Sequence, residues 1–209
     1  MLLLTTAGQP QIEQYAHPNL GRLIQPRHYW RIEDTGRAGI PWAADNDAFG
    51  GFGDEEEARW HEMLERIRGV PGCLFAAAPD VVGDALRTTY LYEEYAPLIL
   101  RYGLPCAYVA QEGLADLGGP PWGSLDALFI GGATDEFKLW EYVEGLVAEA
   151  RRRGKHVHMG RVNSARRFRY AKSIGCDSVD GTQFSQWRAT YLRDGLAWAA
   201  APAQLRFGA

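Results

Sequence analysis

Short apolar runs alternate with amphipathic segments along most of this chain of 209 residues, and that alternation restricts the fold more than any other feature. The apolar runs cover residues 41–45, 73–79, 106–111, 127–131, 156–159 and 177–179, with two weaker runs at 2–6 and 22–25. Helical periodicity covers residues 54–68, 84–102, 136–153, 164–174 and 186–199, and Pro97 is expected to interrupt the second of these segments. Strands separated by helices pair in parallel through right-handed crossovers. The pattern therefore predicts an α/β fold, a compact (β/α)8 TIM barrel of about eight strands, formed as a single domain over residues 1–209.

The composition narrows the class of protein. With 46% hydrophobic and 23% charged residues, the chain has the balance of an ordinary folded domain rather than that of a disordered one. No run reaches the roughly 18 apolar residues of a membrane span, and no basic segment precedes the first apolar residues, so a cytoplasmic location is expected. The net charge of −4 gives no general attraction to nucleic acid, and any phosphate contacts must therefore be local.

Nearly every predicted strand ends in polar residues or in glycine. In a parallel α/β fold the carboxyl ends of the strands face one side of the molecule, where ligands bind. The residues at these ends are, in chain order, Asp45, Asn46, Asp47 and Phe49, then Asp80, Gln111, Gly131, Gly132, Met159, Arg161, Asp177 and Asp180. Several carboxyl groups and one carboxamide are therefore expected around a common pocket.

Taken in this order, the strand ends resemble the tRNA-guanine transglycosylase superfamily, including its DNA-modifying branch in phages and bacterial gene clusters. The family's Asp-Ser-Gly-Gly-aromatic turn is similar to residues 45–49, its Val-Gln-Gly-Gly stretch to 109–113, its Ile-Gly-Gly stretch to 130–132, its Met-Gly pair to 159–160 and its Gly-x-Asp-x-x-Asp run to 175–180. The resemblance spans roughly residues 41–184. It implies a pentosyltransferase that replaces guanine in a nucleic acid by a free base.

Two features of the sequence differ from the tRNA-modifying members of that family. Their Cys-x-Cys-x-x-Cys zinc group is missing, because Cys73, Cys106 and Cys176 are far apart, and residues 181–184 replace their Leu-Pro-Thr-Arg stretch. The resemblance therefore implies a barrel that lacks the C-terminal zinc subdomain. It favours guanine in DNA over guanine in tRNA as the substrate, with RNA left open, and it implies a 7-deazaguanine such as preQ0 as the incoming base. A phage-encoded protein of this kind would work in the host cytoplasm. The reaction requires no metal ion and no cofactor, since one glycosidic bond is exchanged for another.

The resemblance also implies a role for each residue of the pocket. Asp180 is the nucleophile that forms a covalent ester with C1′ of the sugar, and Asp45 transfers the proton of the departing and arriving bases. The residues expected to bind the base are Asp80 and Gln111 at its edge, the backbone of Gly131 and Gly132, the neighbouring Asn46, and Phe49 and Met159 on its two faces. For Asp80 a helix cap near residue 84, and for Met159 a place in the core, remain the alternatives. Asp47 is expected to form a turn. Asp177 is expected either to support the site residues from behind or to act as a cap.

Basic residues are concentrated between positions 151 and 172. Those that follow the seventh strand are expected to contact nucleic-acid phosphates; they are Arg161, Arg166, Arg167, Arg169 and Lys172. Residues 151–155 precede that strand, so they are expected on the opposite face, where they complement a helix dipole. His156 and His158 face the same side of one strand. Without a further ligand at a suitable spacing, they are expected to be core or interface residues rather than metal ligands.

Two other functions remain open at this point. The same pocket would suit an N-glycoside hydrolase, which releases a base without inserting another. It would also suit a non-catalytic domain that binds a base or a nucleic acid as the partner of a larger transferase. A fold of this kind does not distinguish between these functions.

Overall fold

The strands form a closed barrel in the computed structural model, which describes residues 1–33, 35, 39–186 and 189–202. Within these ranges the strands are β1 (Leu2–Thr5), β2 (Leu20–Ile24), β3 (Trp42–Ala44), β4 (Cys73–Ala77), β5 (Cys106–Ala110), β6 (Ala127–Ile130), β7 (His156–Met159) and β8 (Ser178–Asp180). They are parallel and pair in chain order, and β8 also pairs with β1. The predicted (β/α)8 barrel is confirmed, and its two weak strands are present.

Helices lie between the strands. The α-helices are α1 (Gln9–Gln14), α2 (Asp54–Ile67), α3 (Ala85–Arg101), α4 (Asp135–Lys138), α5 (Glu141–Arg152), α6 (Ala165–Ile174), α7 (Gln183–Gln186) and α8 (Ala189–Ala200). Short 3₁₀ segments occupy Pro26–Arg31, Ala48–Gly50 and Leu114–Leu117.

Two helical segments differ from the prediction, and a third is described only in part. Pro97 lies inside α3 without interrupting it, because buried neighbours on that helix, including Tyr92, Ala96 and Ile99, hold it against the barrel. The segment 136–153 forms two helices, since Trp140 has an extended backbone (ψ 144°) at the start of α5. In the segment 186–199, positions 187 and 188 lie outside the described residues.

Side-chain caps fix the start of the helices that follow strand ends. The N–H of Arg87 donates to Asp84 at the start of α3 over 3.0 Å, and the N–H of Arg167 donates to Ser164 at the start of α6 over 3.2 Å. Since Asp84 caps α3, the alternative role of Asp80 as that cap is excluded. Short connections from strand to helix therefore place the strand-end residues around a common opening.

The core has two layers, one inside the barrel and one between the barrel and its helices. The inner layer contains Leu4, Leu23, Ala43, Phe75, Ala77, Ala107, Val109, Ala127 and Phe129. His158 also points inward, since its ring packs against Phe75 and Phe129 with centroid distances of 5.2 and 4.5 Å. Val157 and Met159, which alternate with the two histidines of β7, pack in the outer layer. The orientation of β7 thus places histidines inside the barrel and apolar residues against the helices.

The end of the barrel at which the strands begin carries its own charged contacts. Arg151 donates to the carbonyl oxygen of Gly175, and Arg152 and Arg153 pair with Glu149 within α5 and its C-terminus. These arginines precede β7, as the sequence predicted, and lie at the end opposite to the polar strand ends. No helix in the described ranges is long and apolar enough to cross a bilayer.

Candidate active site

A cavity of about 550 Å³ opens at the carboxyl ends of the strands. Ten of the residues predicted from the strand ends line it, namely Asp45, Asn46, Asp47, Phe49, Asp80, Gln111, Gly131, Gly132, Arg161 and Asp180. Its size falls within the range of about 300–1,000 Å³ that is usual for small-molecule sites. The strand ends therefore form one pocket, large enough for a nucleobase and its sugar.

Asp180 lies at the end of β8 and accepts two hydrogen bonds. The ring Nε2 of His158 lies 2.9 Å from its Oδ2, and the backbone N–H of Arg161 donates to its Oδ1 over 3.2 Å. The Asp180 side chain is 16% exposed, so its carboxyl group can still be reached from the pocket while the two hydrogen bonds hold it in place. A carboxylate fixed in this way is a suitable nucleophile.

Asp45 follows β3 and has a different environment. Gln25 donates to its Oδ2 over 3.1 Å, and the backbone N–H of Asn46 donates to its Oδ1 over 3.0 Å. Withdrawal from solvent and the negative charge of Asp180 raise the pKa of Asp45 to about 7. Asp45 is therefore a carboxyl group that exchanges its proton near neutral pH, as a general acid and base must.

Asp80 is the centre of a buried amide network. Its Oδ1 accepts from Asn46 over 2.7 Å and its Oδ2 from Gln111 over 2.5 Å. Gln111 in turn accepts from the backbone N–H groups of Gly83 and Gly132, both over 3.0 Å. Burial raises the pKa of Asp80, and these hydrogen bonds oppose the shift. Gln111 and Asn46 thus hold Asp80 in place and reach a ligand mainly through it.

Lys138, at the end of the single-turn helix α4, is a pocket residue that the sequence reasoning missed. It is 1% exposed, lines the cavity, and donates from Nζ to the carbonyl oxygen of Gly160 over 2.7 Å. Burial lowers the pKa of Lys138 to about 8, and the negative charge of Asp180 opposes the shift. The helical pattern predicted over residues 136–153 contained no signal that marked Lys138.

Phe49 and Arg161 meet at the mouth of the pocket. Phe49 is 71% exposed, and the guanidinium carbon of Arg161 lies 4.1 Å from the centre of its ring. Arg167 donates to the carbonyl oxygen of Arg161 over 2.9 Å. Asp47 and Arg161 both have positive φ, 57° and 56°, which costs free energy in residues other than glycine and is often found at functional sites. Asp47 forms the predicted turn and pairs with Arg27.

Two predicted site residues lie elsewhere. Met159 does not line the cavity; it is 1% exposed and packs in the outer core, because the inward positions of β7 belong to the histidines. Lys172 donates to the carbonyl oxygens of Trp198 and Ala199 at the end of α8, so it stabilises that helix and is not available to phosphates. The prediction that Met159 stacks on a base was wrong and its alternative, a place in the core, is confirmed, whereas the prediction that Lys172 contacts phosphates was wrong.

The remaining predicted residues divide between the mouth and the opposite end. Arg166 and Arg169 are exposed on α6, which begins beside the mouth. Asp177 precedes β8, where it accepts from the backbone N–H of Val157 over 2.8 Å, and therefore lies at the other end of the strand from Asp180. No group of three or more histidine, cysteine or acidic residues in the described part of the chain is arranged to hold a metal ion.

Gly131 is expected to be essential to the shape of the pocket. A Cβ at this position would lie 2.6 Å from Nε2 of Gln111 and 3.0 Å from the carbonyl oxygen of Ala110. Gly131→Ala should therefore destabilise the protein by about 1–3 kcal/mol and weaken ligand binding, as measured by urea unfolding and by titration. Gly145→Ala is the matched control, since nothing lies within 4 Å of that Cβ on the exposed face of α5. It should be neutral or stabilising by up to about 1 kcal/mol. Equal effects of the two substitutions would contradict this account.

The fold and the pocket define a (β/α)8 barrel with an acidic pocket at the carboxyl ends of its strands. No protein-family model matches the chain, and no curated protein matches it. Among solved structures, it is similar to 3-hexulose-6-phosphate synthase from Salmonella typhimurium, with a TM-score of 0.53, 11% identity, and coverage of 95% of this chain and 97% of that one. It is also similar to malate synthase from Haloferax volcanii, with a TM-score of 0.56, 10% identity, and coverage of 100% and 74%. A third match is an HpcH/HpaI aldolase from Desulfitobacterium hafniense, with a TM-score of 0.51, 12% identity, and coverage of 94% and 89%. At these identities the likeness shows the shared barrel and nothing about the reaction.

Proposed function

We propose that this protein is a base-exchanging transglycosylase, which replaces guanine in DNA by a 7-deazaguanine through a covalent aspartyl-sugar intermediate. The observation that carries the proposal is the pair of carboxyl groups in one pocket with opposite environments. Asp180 accepts hydrogen bonds from a ring and a backbone N–H, whereas Asp45 is withdrawn from solvent with a pKa raised to about 7. Double displacement at a glycosidic carbon requires one nucleophile and one acid/base group of this kind.

The two half-reactions use the same two groups in turn. In the first, Asp180 attacks C1′ as the bond from C1′ to the base nitrogen breaks, and the departing guanine takes a proton from Asp45. In the second, Asp45 takes the ring proton of the deazaguanine, whose nitrogen attacks C1′ and releases Asp180 as a carboxylate. Atoms, charge and protons balance over the cycle, so neither an oxidant nor an energy source enters the reaction.

Base recognition falls to the network around Asp80. Guanine presents two N–H groups on its pairing edge, and each carboxylate oxygen of Asp80 has a lone pair beyond those that accept from Asn46 and Gln111. A donor-rich base edge is thus matched by a buried acceptor whose position is fixed from two sides. Phe49 at the mouth offers an aromatic surface for one face of the base.

The nucleic acid would lie over the mouth. Arg161 lines the pocket, and Arg166 and Arg169 are exposed on the adjacent helix α6, where phosphates would contact them. A target base within a duplex would have to rotate out of the stack to reach Asp180. DNA is proposed as the substrate on the resemblance to the DNA-modifying branch of the family.

The direct test is to incubate the protein with isotope-labelled 7-deazaguanine and three guanine-containing substrates, namely single-stranded DNA, duplex DNA and tRNA. Mass spectrometry should detect label in DNA, released guanine in equal amount, and a protein adduct of the mass of the sugar-linked strand. Free guanine and abasic sites without incorporation would indicate the hydrolase instead. Binding without any of these products would indicate the non-catalytic domain, and incorporation confined to tRNA would contradict the proposed substrate.

A further inference from the structure

A chain of hydrogen-bonded side chains leads through the interior of the barrel to Asp180. His158 Nε2 lies 2.9 Å from Asp180 Oδ2, and His158 Nδ1 lies 2.8 Å from the hydroxyl oxygen of Ser178. That oxygen also lies 2.8 Å from Nε2 of His156. His158 and Ser178 are fully buried, and Phe75 and Phe129 enclose the ring of His158. The centre of the chain is therefore isolated from water, where each hydrogen bond matters most.

The donors and acceptors that each side chain offers determine the direction of the hydrogen bonds in this chain. Asp180 as a carboxylate only accepts, so its bond with His158 forms only in the tautomer that carries the hydrogen on Nε2. If that ring is neutral, its Nδ1 accepts from the hydroxyl of Ser178, whose oxygen in turn accepts from Nε2 of His156. Burial lowers the pKa of His156, which keeps that ring neutral as well. Every hydrogen in the chain then points toward Asp180.

We propose that His156 and Ser178 are positioning residues that lock His158 in its Nε2–H tautomer, so that His158 holds one oxygen of the nucleophile Asp180. The inference rests on the proposed function for the role of Asp180. The other charged groups that act on Asp180 are Lys138 and Asp45, and Asp177 is the charged group that acts on His156.

The fixed tautomer of His158, called the lock below, also determines which oxygen of Asp180 attacks. Oδ2 is held by the ring of His158 at 2.9 Å, whereas Oδ1 has only a backbone contact at 3.2 Å. In the ester intermediate, the oxygen that remains a carbonyl is the better acceptor, so it is the one that keeps the bond from His158. Oδ1 is therefore the oxygen that bonds to C1′, and Oδ2 stays with His158 throughout the cycle.

Nitrogen-15 NMR of the histidine rings tests the tautomer without any nucleic acid. In the wild-type protein at neutral pH, His156 and His158 should both carry hydrogen on Nε2 and none on Nδ1, with the signals assigned from His156→Gln and His158→Gln. In Ser178→Ala the signal of His158 should change to a mixture of tautomers. A wild-type His158 with hydrogen on Nδ1, or on both nitrogens, would overturn the proposal.

A double-mutant cycle tests the consequence for the reaction. Ser178→Ala should slow formation of the protein–DNA adduct about tenfold, with KM for the oligonucleotide unchanged. In a His158→Gln background it should have no further effect, because the amide supplies a donor that has no tautomer to lock. Ser173→Ala, which removes a hydroxyl bonded to the carbonyl oxygen of Tyr170 on α6, is the matched control. Equal slowing in both backgrounds would show a merely structural role and overturn the proposal.

A second variant covers the case in which Ser178→Ala does not fold. His156→Phe removes only the outer donor and should slow adduct formation about threefold, since Ser178 still donates to His158. An unchanged rate would contradict the proposal. If wild-type protein forms no adduct at all, the proposed function fails, and the NMR result alone decides whether the lock exists.

Discussion

Asp180→Asn should abolish the protein–DNA adduct and reduce incorporation of deazaguanine by at least about 10³-fold, because an amide oxygen is a poor nucleophile toward C1′. The change in shape is small, and Asn keeps one oxygen, which accepts either from the N–H of Arg161 or from His158. Binding of the oligonucleotide should therefore stay within a few fold of that of the wild type. The measurements are single-turnover incorporation of labelled base, intact-protein mass spectrometry and a binding titration.

Asp177→Asn is the matched control for that substitution. It makes the same chemical change three positions earlier, at the opposite end of β8, and retains an oxygen that accepts from the N–H of Val157. Its incorporation rate should equal that of the wild type. If the two variants have similar rates, Asp180 is not the nucleophile and the proposed mechanism is wrong.

Asp45→Asn should slow formation of the adduct by about 10²–10⁴-fold and remove its pH dependence near neutrality. In the proposed mechanism the departure of guanine requires the protonated form of Asp45, so the wild-type rate of this half-reaction should fall as the pH rises through about 7. The second half-reaction requires the ionised form, so its rate should rise over the same range. Stopped-flow or quench measurements of each half-reaction between pH 5 and 9 test both slopes. Asp126→Asn, at the start of β6, should leave both profiles unchanged.

Asp45→Asn should also change how the stability of the protein depends on pH. Burial raises the pKa of Asp45 in the folded protein above its unfolded value, so its contribution to stability is full below about pH 4 and is lost as the pH rises to about 7. Asp45→Asn removes this loss. Relative to the wild type, the free energy of unfolding of this variant should increase by on the order of 2–4 kcal/mol between pH 4 and pH 8. Urea unfolding at both pH values measures the difference, and a gain that is independent of pH would contradict the assignment.

The sequence predicted the barrel because its signals are local. Each strand is a short apolar run followed by a helix with its own cap, as at Ser164, and these features do not depend on distant contacts. The strand ends were predicted for the same reason, since polar residues that follow an apolar run in a parallel barrel lie on the side where ligands bind. Asp45, Asp80 and Asp180 therefore came from the pattern together with the family resemblance.

The orientation of β7 did not follow from local sequence. Both faces of a barrel strand are buried, so alternation shows that His156 and His158 share a face without showing which face points inward. The structure turns the histidines inward, and this moves Met159 to the outer core and brings His158 to Asp180. The inward position of His158 depends on Phe75 and Phe129 from other strands, whose rings pack against its imidazole.

The sequence did not indicate Lys138 as a pocket residue, and it placed Lys172 wrongly at the phosphates. Both errors arise because packing also sets the length and direction of helices. Lys138 reaches the pocket because α4 ends after a single turn, which the continuous helical pattern over 136–153 did not indicate. Lys172 lies in the last turn of α6, which runs away from the mouth and toward the end of α8. Position along a helix therefore separates Arg166, near the mouth, from Lys172.

The pairing of β8 with β1 has a consequence for how the protein is made. Asp180 pairs with Leu4, so the proposed nucleophile lies at the seam where the last strand of the barrel to be synthesised meets the first. A nascent chain that ends before this strand has the proposed base-binding residues but not the proposed attacking group. Contacts between such distant parts of a chain form late, because closing so long a loop is entropically costly. We therefore expect reactivity to appear in a single step when the barrel closes, and to be lost first if the seam opens.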